Sequence, residues 1–201
     1  MIKSIKSTST TPLRLYEQFE SAMDNLGGRT FLVAEDEVSS KLQSLLSDTI
    51  RKIVIYQTPL IDRLIPKTFP GETNNLSVER LPTIRPPDFD EESYRHDLIM
   101  ADAGLIAADY IIADSGTVVL FGENHRAQLV TLLPPTLFVL ATARQLIPDL
   151  FTFHDLIKKS NGHHFQNMHY ISGPSRTSDI EKTLILGVHG PVELYVLVVK
   201  E

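Results

Sequence analysis

Short apolar runs alternate with segments of helical spacing, and this alternation constrains the fold of the chain most strongly. The apolar runs, each long enough for a buried strand, cover residues 30–34, 53–56, 76–81, 110–113, 117–121, 136–141, 169–172 and 194–199. Apolar residues recur at helical spacing at about residues 15–26, 38–50, 91–108, 150–157 and 179–183. A strand–helix–strand order is typical of parallel strands joined by crossover helices. The sequence therefore predicts an α/β domain with an open, mixed but largely parallel sheet and flanking helices.

Several boundary residues support individual elements. Gly27 supplies a stop for the first helical segment, and Asp36 is placed to cap the second. Pro148 suits an early helix position, and Thr177 or Ser178 is placed to cap a helix over residues 179–183. The tight loop between the runs at 110–113 and 117–121 predicts a hairpin.

Length and charge narrow the classes of function. The 201 residues carry a net charge of −6, and a chain of this length fits one domain. The excess of acidic over basic residues argues against nucleic-acid binding, because contacts with phosphates need a cluster of lysine and arginine side chains. The longest uncharged stretch, residues 127–143, is shorter than the roughly 20 residues of a membrane span and contains two prolines. We expect residues 1–12 to form a flexible tail and residues 13–201 a single domain, with no nucleic-acid partner and no membrane span.

Cysteine is absent from these residues. Disulfides, a catalytic thiol and thiolate-held zinc or iron–sulfur centres are therefore excluded for this stretch of chain. His163, His164 and His169 match no spacing of a metal-ligand set on a helix or strand. The sequence predicts no metal site and no cofactor bound by this chain.

The densest polar segment covers residues 172–181, between a predicted strand and a predicted helix. Open α/β sheets place ligands at the carboxyl ends of their strands, where free helix amides attract anions. The groups suited to an anion are the small Gly173, the hydroxyls of Ser175 and Thr177, and the guanidinium of Arg176. The same segment also fits a capping box, in which Ser178 caps the helix and Glu181 reaches back.

The hairpin loop is the second candidate. Asp114, Ser115, Gly116 and Thr117 place a carboxylate and two hydroxyls around a glycine, a set that can bind a polar substrate or position a water. Asp and Gly are also ordinary turn residues, chosen for their backbone preferences.

A third candidate is His189, which lies between two glycines at a strand junction. An imidazole can donate to a ligand or carry a proton near neutral pH. A tight turn with an incidental histidine gives the same pattern.

Three segments together resemble one family: ADAGLIAADYIIADSGT at 101–117, LLPP at 132–135, and ISGPSRTSDIEKTLILGVHGP at 171–191. They resemble the LUD domain of lactate-utilization proteins of the LutC or YkgG type. The resemblance covers most of the chain from about residue 91 onward, and the last segment is its most specific part. One departure is Asp114, where members of the family often carry Glu.

The resemblance implies a fold related to the NagB, ribose-5-phosphate isomerase and CoA-transferase group. It implies a cytoplasmic accessory subunit in the oxidation of L-lactate to pyruvate, with iron–sulfur clusters on partner proteins. The alternative is a stand-alone transferase or ligase that acts on a phosphorylated or CoA-type substrate. A third hypothesis is a structural assembly factor whose polar turns serve only as caps.

The resemblance also suggests that the two polar loops share one site. Ser175, Arg176 and Thr177 would then hold a small organic acid or a phosphate-like anion. The hairpin loop from Asp114 to Thr117 would face them. Asp114 and His189 are the candidate catalytic residues, with His189 as the proton donor.

Overall fold

The computed structural model describes residues 11–69, 76–82, 90–121, 125–159, 167–177, 185–186 and 190–200, with the backbone alone at 125, 176–177 and 185–186. The described helices are α1 (Pro12–Leu26), α2 (Val38–Leu45), α3 (Pro59–Leu64), α4 (Glu91–Ile99), α5 (His125–Leu132) and α6 (Leu150–Lys159). The described strands are β1 (Arg29–Val33), β2 (Lys52–Tyr56), β3 (Ser77–Leu81), β4 (Ala103–Ala107), β5 (Tyr110–Ile112), β6 (Thr117–Phe121), β7 (Thr136–Thr142), β8 (Leu146–Ile147), β9 (Met168–Ile171), β10 (Arg176–Thr177), β11 (Ile185–Leu186) and β12 (Glu193–Val199).

Six strands form the main sheet, in the order β1-β12-β7-β4-β2-β3, and every neighbouring pair is parallel. All seven residues of β7 are buried, because helices and the second sheet cover both faces of the main sheet's centre. The predicted α/β fold with a largely parallel sheet is confirmed.

A smaller four-stranded sheet has the order β8-β5-β6-β9, in which β5–β6 and β6–β9 are antiparallel and β5–β8 is parallel, and β10 and β11 form a separate antiparallel pair. The predicted hairpin is confirmed, since β5 and β6 pair antiparallel, with Ile112 opposite Thr117. Strand β9 pairs antiparallel with the other edge of β6, so that Ile171 lies opposite Val118. The end of β9 is thereby brought to the hairpin turn.

The two sheets share one hydrophobic core. The same cluster contains Val118 of the smaller sheet, Val139 and Val196 of the main sheet, and Phe19 and Met23 of α1. All five side chains are fully buried. Helix α1 follows the predicted spacing, and Gly27 at its end has the left-handed conformation of a C-cap.

The predicted helix over residues 91–108 is wrong beyond Ile99. Helix α4 ends there, and β4 follows in the middle of the main sheet. The Asp102 carboxylate accepts hydrogen bonds from the backbone amides of Arg51 and Lys52, at 2.7 and 2.9 Å. These bonds and the pairing of β4 with β2 and β7 favour an extended backbone over the helix that the apolar spacing suggested.

Three predicted caps also differ from the structure. Asp36 lies within a short 3-10 turn, and Pro148 lies before α6 rather than inside it. Thr177 pairs with Ile185 between β10 and β11, so its backbone belongs to a strand. Ser178 and the helix predicted at 179–183 lie outside the described residues. Among the described helices, α3 and α5 were not predicted, and none is long and apolar enough to cross a membrane.

Candidate functional site

Three hydroxyl groups meet where the hairpin turn reaches the end of β9. The Thr117 hydroxyl oxygen lies 2.8 Å from that of Ser115 and 2.8 Å from that of Ser172. Thr117 is only 5% exposed, so these bonds satisfy a buried hydroxyl. Ser172 stands 55 residues from Thr117 in the sequence, and this hydroxyl cluster therefore joins the two polar loops that the sequence proposed for one site.

Both loops pack against the last turns of α1. Gly116 has φ +59°, and a Cβ there would lie 2.7 Å from the Met23 backbone nitrogen. Gly173 has φ +81°, and a Cβ there would lie 2.7 Å from the Leu26 Cβ. Glycine is required at both positions because other residues disfavour this conformation and would collide with the helix. The end of α1 thus fixes the relative position of the two loops.

A cleft of about 480 Å³, here called the polar cleft, opens along residues 172–175. Its lining includes His169, Ile171, Ser172, Gly173, Ser175 and Gly190. The Ser175 amide donates to the Pro191 carbonyl at 2.8 Å, and the Val192 amide donates to the Pro135 carbonyl at 2.7 Å. Pro135 and Val192 immediately precede β7 and β12. The segment follows the carboxyl end of β9, as predicted, but it lies beside the amino ends of the main-sheet strands.

The alternation of β9 distributes its side chains between two faces. His169 lines the polar cleft, whereas Met168 lines a second cleft; Tyr170 and Ser172 line both. Burial lowers the pKa of His169 below 6.5, which favours a neutral imidazole at neutral pH. His169, Tyr170 and Ser172 were not predicted as a set of site residues. Period-2 alternation along the predicted strand was the signal that could have identified them.

The second cleft, here called the apolar cleft, has a volume of about 560 Å³. It lies between α6, β9 and the β5–β6 hairpin, and its apolar lining consists of Ile112, Leu150, Phe151, Phe153, Ile157 and Met168. The hydroxyl cluster supplies a polar patch on its wall. Because the two clefts share Tyr170 and Ser172, they are immediate neighbours.

The remaining predicted site residues are Asp114, Arg176, Thr177 and His189. Asp114 is exposed in the hairpin turn, where its amide donates to the Pro148 carbonyl at 3.1 Å, and its side chain lines neither cleft. Arg176 and Thr177 follow Ser175 directly in the sequence and form β10. His189 lies outside the described residues. Its role and that of Asp114 stay predictions.

A profile of the LUD domain family matches residues 16–199. The chain belongs to the LUD domain family. The resemblance identified from the sequence is thereby confirmed, and it extends to nearly the whole chain rather than to the part after residue 91.

Two relatives of this LUD domain carry the name lactate utilization protein C. The relative from Halalkalibacterium halodurans is 38% identical over 104 residues, which cover 50% of this chain and 45% of the relative. The relative from Bacillus subtilis is 37% identical over 102 residues, which cover 49% of this chain and 42% of the relative. The chain thus spans about half the length of these relatives.

A solved structure has a similar fold. The crystal structure of a DUF162 family protein from Deinococcus radiodurans aligns with a TM-score of 0.61 at 22% sequence identity, covering 94% of this chain and 98% of that one. At this level of identity the likeness supports the α/β fold alone.

Two acidic side chains outside the lining of both clefts serve the fold of this LUD domain. The Asp109 carboxylate accepts from the Phe121 amide at 2.6 Å, and Asp97 forms an ion pair with Lys52 at 2.8 Å. Within the described ranges, no group of three or more histidine or acidic side chains is arranged to hold a metal ion. In the polar cleft, the available groups are hydroxyls and the imidazole of His169, which can form hydrogen bonds.

Proposed function

We propose that this LUD domain is a cytoplasmic subunit of a lactate-utilization system that oxidises L-lactate to pyruvate together with iron–sulfur partner proteins. The observation that carries the proposal is the identity of 37–38% over half of the chain with proteins named lactate utilization protein C. Oxidation of a hydroxy acid releases electrons, and thiolate-held clusters are common carriers of electrons. Because these residues include no cysteine, we assign such clusters to the partners.

The polar cleft is the proposed site for the small organic acid. Ser172 and Ser175 line this cleft, and their hydroxyls would hydrogen-bond to the acid. Arg176 follows directly in the sequence, and its guanidinium would pair with the carboxylate of the ligand. Asp114 and His189 complete the proposal as the groups that would move a proton.

Deletion of the gene in its host tests this function. We expect the deletion strain to lose growth on L-lactate and to grow normally on pyruvate, the product of the proposed oxidation. Wild type should restore growth on lactate, and so should Ser44→Ala, which removes an exposed hydroxyl that donates to the Lys41 carbonyl. Ser175→Ala should restore it poorly, since loss of one hydrogen bond to a charged ligand weakens binding about tenfold.

Normal growth of the deletion strain on lactate would contradict the proposal. Turnover of a CoA ester or a phosphorylated substrate by the isolated chain would support the stand-alone transferase or ligase instead. If a folded Ser175→Ala variant restores growth fully, the polar cleft is not the binding site of the acid. The chain could still take part in lactate utilization.

A further inference from the structure

The apolar cleft has the size and lining of a small-molecule site distinct from the polar cleft. Its volume of about 560 Å³ falls within the range of about 300–1,000 Å³ in which drug-sized ligands bind. Lactate, with three carbon atoms, would fill little of it. The polar cleft is of similar size, about 480 Å³, so the lining rather than the volume distinguishes the ligands of the two clefts.

Aromatic side chains give the cleft flat walls. The Phe153 ring is 1% exposed and meets Tyr170 edge to face, with centroids 6.2 Å apart and planes at 89°. At the rim, Phe151 is 86% exposed and Leu150 is 52% exposed. Large apolar side chains left this open at the mouth of a cleft are typical of a binding site, because a bound ring would remove them from water.

The hydroxyl cluster presents a hydrogen-bond donor to this cleft. Thr117 has one hydroxyl hydrogen, and it donates to Ser115. The contact between Thr117 and Ser172 must then use the hydrogen of Ser172. Because the hydrogens of Thr117 and Ser172 are both used inside the cluster, the hydrogen of the exposed Ser115 hydroxyl is left for an acceptor in the cleft.

The charge of the lining decides which acceptor fits. No lysine, arginine, aspartate or glutamate is among the described residues that line the apolar cleft. His154 also lines it, but this side chain is exposed to water rather than enclosed by the cleft. A carboxylate among these walls would lose hydration without gaining a cation, whereas a neutral carbonyl needs only the donor.

We propose that the apolar cleft binds a neutral, planar aromatic carbonyl compound of quinone type. Its rings lie against Ile157, Met168 and Tyr170, and one carbonyl oxygen accepts from Ser115. Phe151 and Leu150 cover the outer edge of the rings.

Calorimetric titration of the purified chain with three matched probes tests this site. Menadione carries the ring system with two neutral carbonyls, 2-methylnaphthalene has similar rings without them, and 2-naphthoate replaces them with a charged carboxylate. Menadione alkylates thiols in many proteins, but the absence of cysteine removes that reaction here. We expect menadione to bind at least about tenfold more tightly than either of the other probes. It gains a hydrogen bond that 2-methylnaphthalene lacks, and it avoids the burial of the charge that 2-naphthoate carries.

Variants locate the binding in the cleft. Ser115→Ala should weaken menadione binding about fivefold to tenfold and leave 2-methylnaphthalene unaffected. Leu150→Ala combined with Phe151→Ala should weaken both probes, and Leu13→Ala, an exposed leucine on α1, should change neither. Far-UV circular dichroism checks that each variant is folded.

Failure of menadione to bind wild type, or binding no tighter than that of 2-methylnaphthalene, overturns the proposal. If 2-naphthoate binds more tightly than menadione, the inference that the ligand is neutral is wrong. If the Leu150 and Phe151 double variant binds menadione as tightly as wild type does, the ligand does not bind in the apolar cleft. These outcomes are independent of growth on lactate, so a failed quinone site and a failed lactate function are distinguishable.

Discussion

At the scale of single residues, position within a strand decides which side chains reach the site. His169 and Tyr170 are neighbours in sequence, yet only Tyr170 lines the apolar cleft. Ser172 continues the strand's alternation one residue beyond β9 and reaches Thr117. Ser172 had been identified only as part of a polar segment, since a sequence does not indicate which hydroxyl will meet a partner 55 residues away.

His169 gives a prediction on pH dependence. Burial lowers its pKa in the folded state below the ordinary value of 6.5, so the unfolded chain binds a proton there first as the pH falls. The free energy of unfolding is therefore unaffected by this group above pH 6.5 and decreases as the pH falls from that value through the lowered folded pKa. We expect His169→Gln to lose less stability than wild type between about pH 7.5 and about pH 5.

Urea unfolding at the two pH values measures this difference. His96→Gln, on the surface helix α4, controls for the loss of a histidine outside the clefts. Equal pH slopes for wild type and His169→Gln would contradict the effect of burial on His169.

At the scale of elements, the contact between α1 and the hairpin turn organises the site. Gly116 has φ +59°, and an added Cβ would collide with the backbone of Met23 and Ala22. We expect Gly116→Ala to destabilise the fold by more than the about 1–2 kcal/mol that a left-handed conformation costs a residue with a Cβ. Thermal unfolding and urea unfolding both report this loss.

Gly27→Ala is the matched control, because Gly27 has φ +87° but is exposed at the end of α1. This variant should lose only the stability that the left-handed conformation costs a residue with a Cβ, because the Cβ would not collide with a helix. If both variants lose the same stability, close packing of the turn on α1 is not what requires glycine at position 116.

At the scale of the whole molecule, the two sheets share one core and should unfold together. Phe19 of α1 is fully buried in the cluster that contains residues of both sheets. We expect Phe19→Leu to cost about 1 kcal/mol, as for other core replacements of similar volume. It should shift the transition of the entire domain.

Far-UV circular dichroism and tyrosine fluorescence follow this transition with independent probes. Tyr110 and Tyr170 belong to the smaller sheet and the other four tyrosines to α1, α4 and the main sheet, so the part of the fluorescence change that Tyr110→Phe with Tyr170→Phe removes reports the smaller sheet. Coincident curves are expected for wild type and variant. Separate transitions would mean that the smaller sheet unfolds on its own.

Much of this architecture follows from the sequence alone. Buried strands such as β7 and β12 are continuous apolar runs, and the spacing of Leu15, Phe19 and Met23 predicts α1 directly. Local hydrophobic patterns suffice here because each element buries the face that its own pattern defines. The polar loops at 114–117 and 172–177, and the family to which the chain belongs, were also identified from sequence.

Only the tertiary structure decided β4 and the geometry of the site. Residues 103–107 have apolar spacing that suits a helix, but the two neighbouring strands and the Asp102 carboxylate select an extended backbone. The hydroxyl cluster and the two adjacent clefts depend on contacts between segments that are distant in sequence. Hydrophobic periodicity reports which face of an element is buried, whereas the pairing of strands determines what that face meets, and the site forms where those pairings bring the loops together.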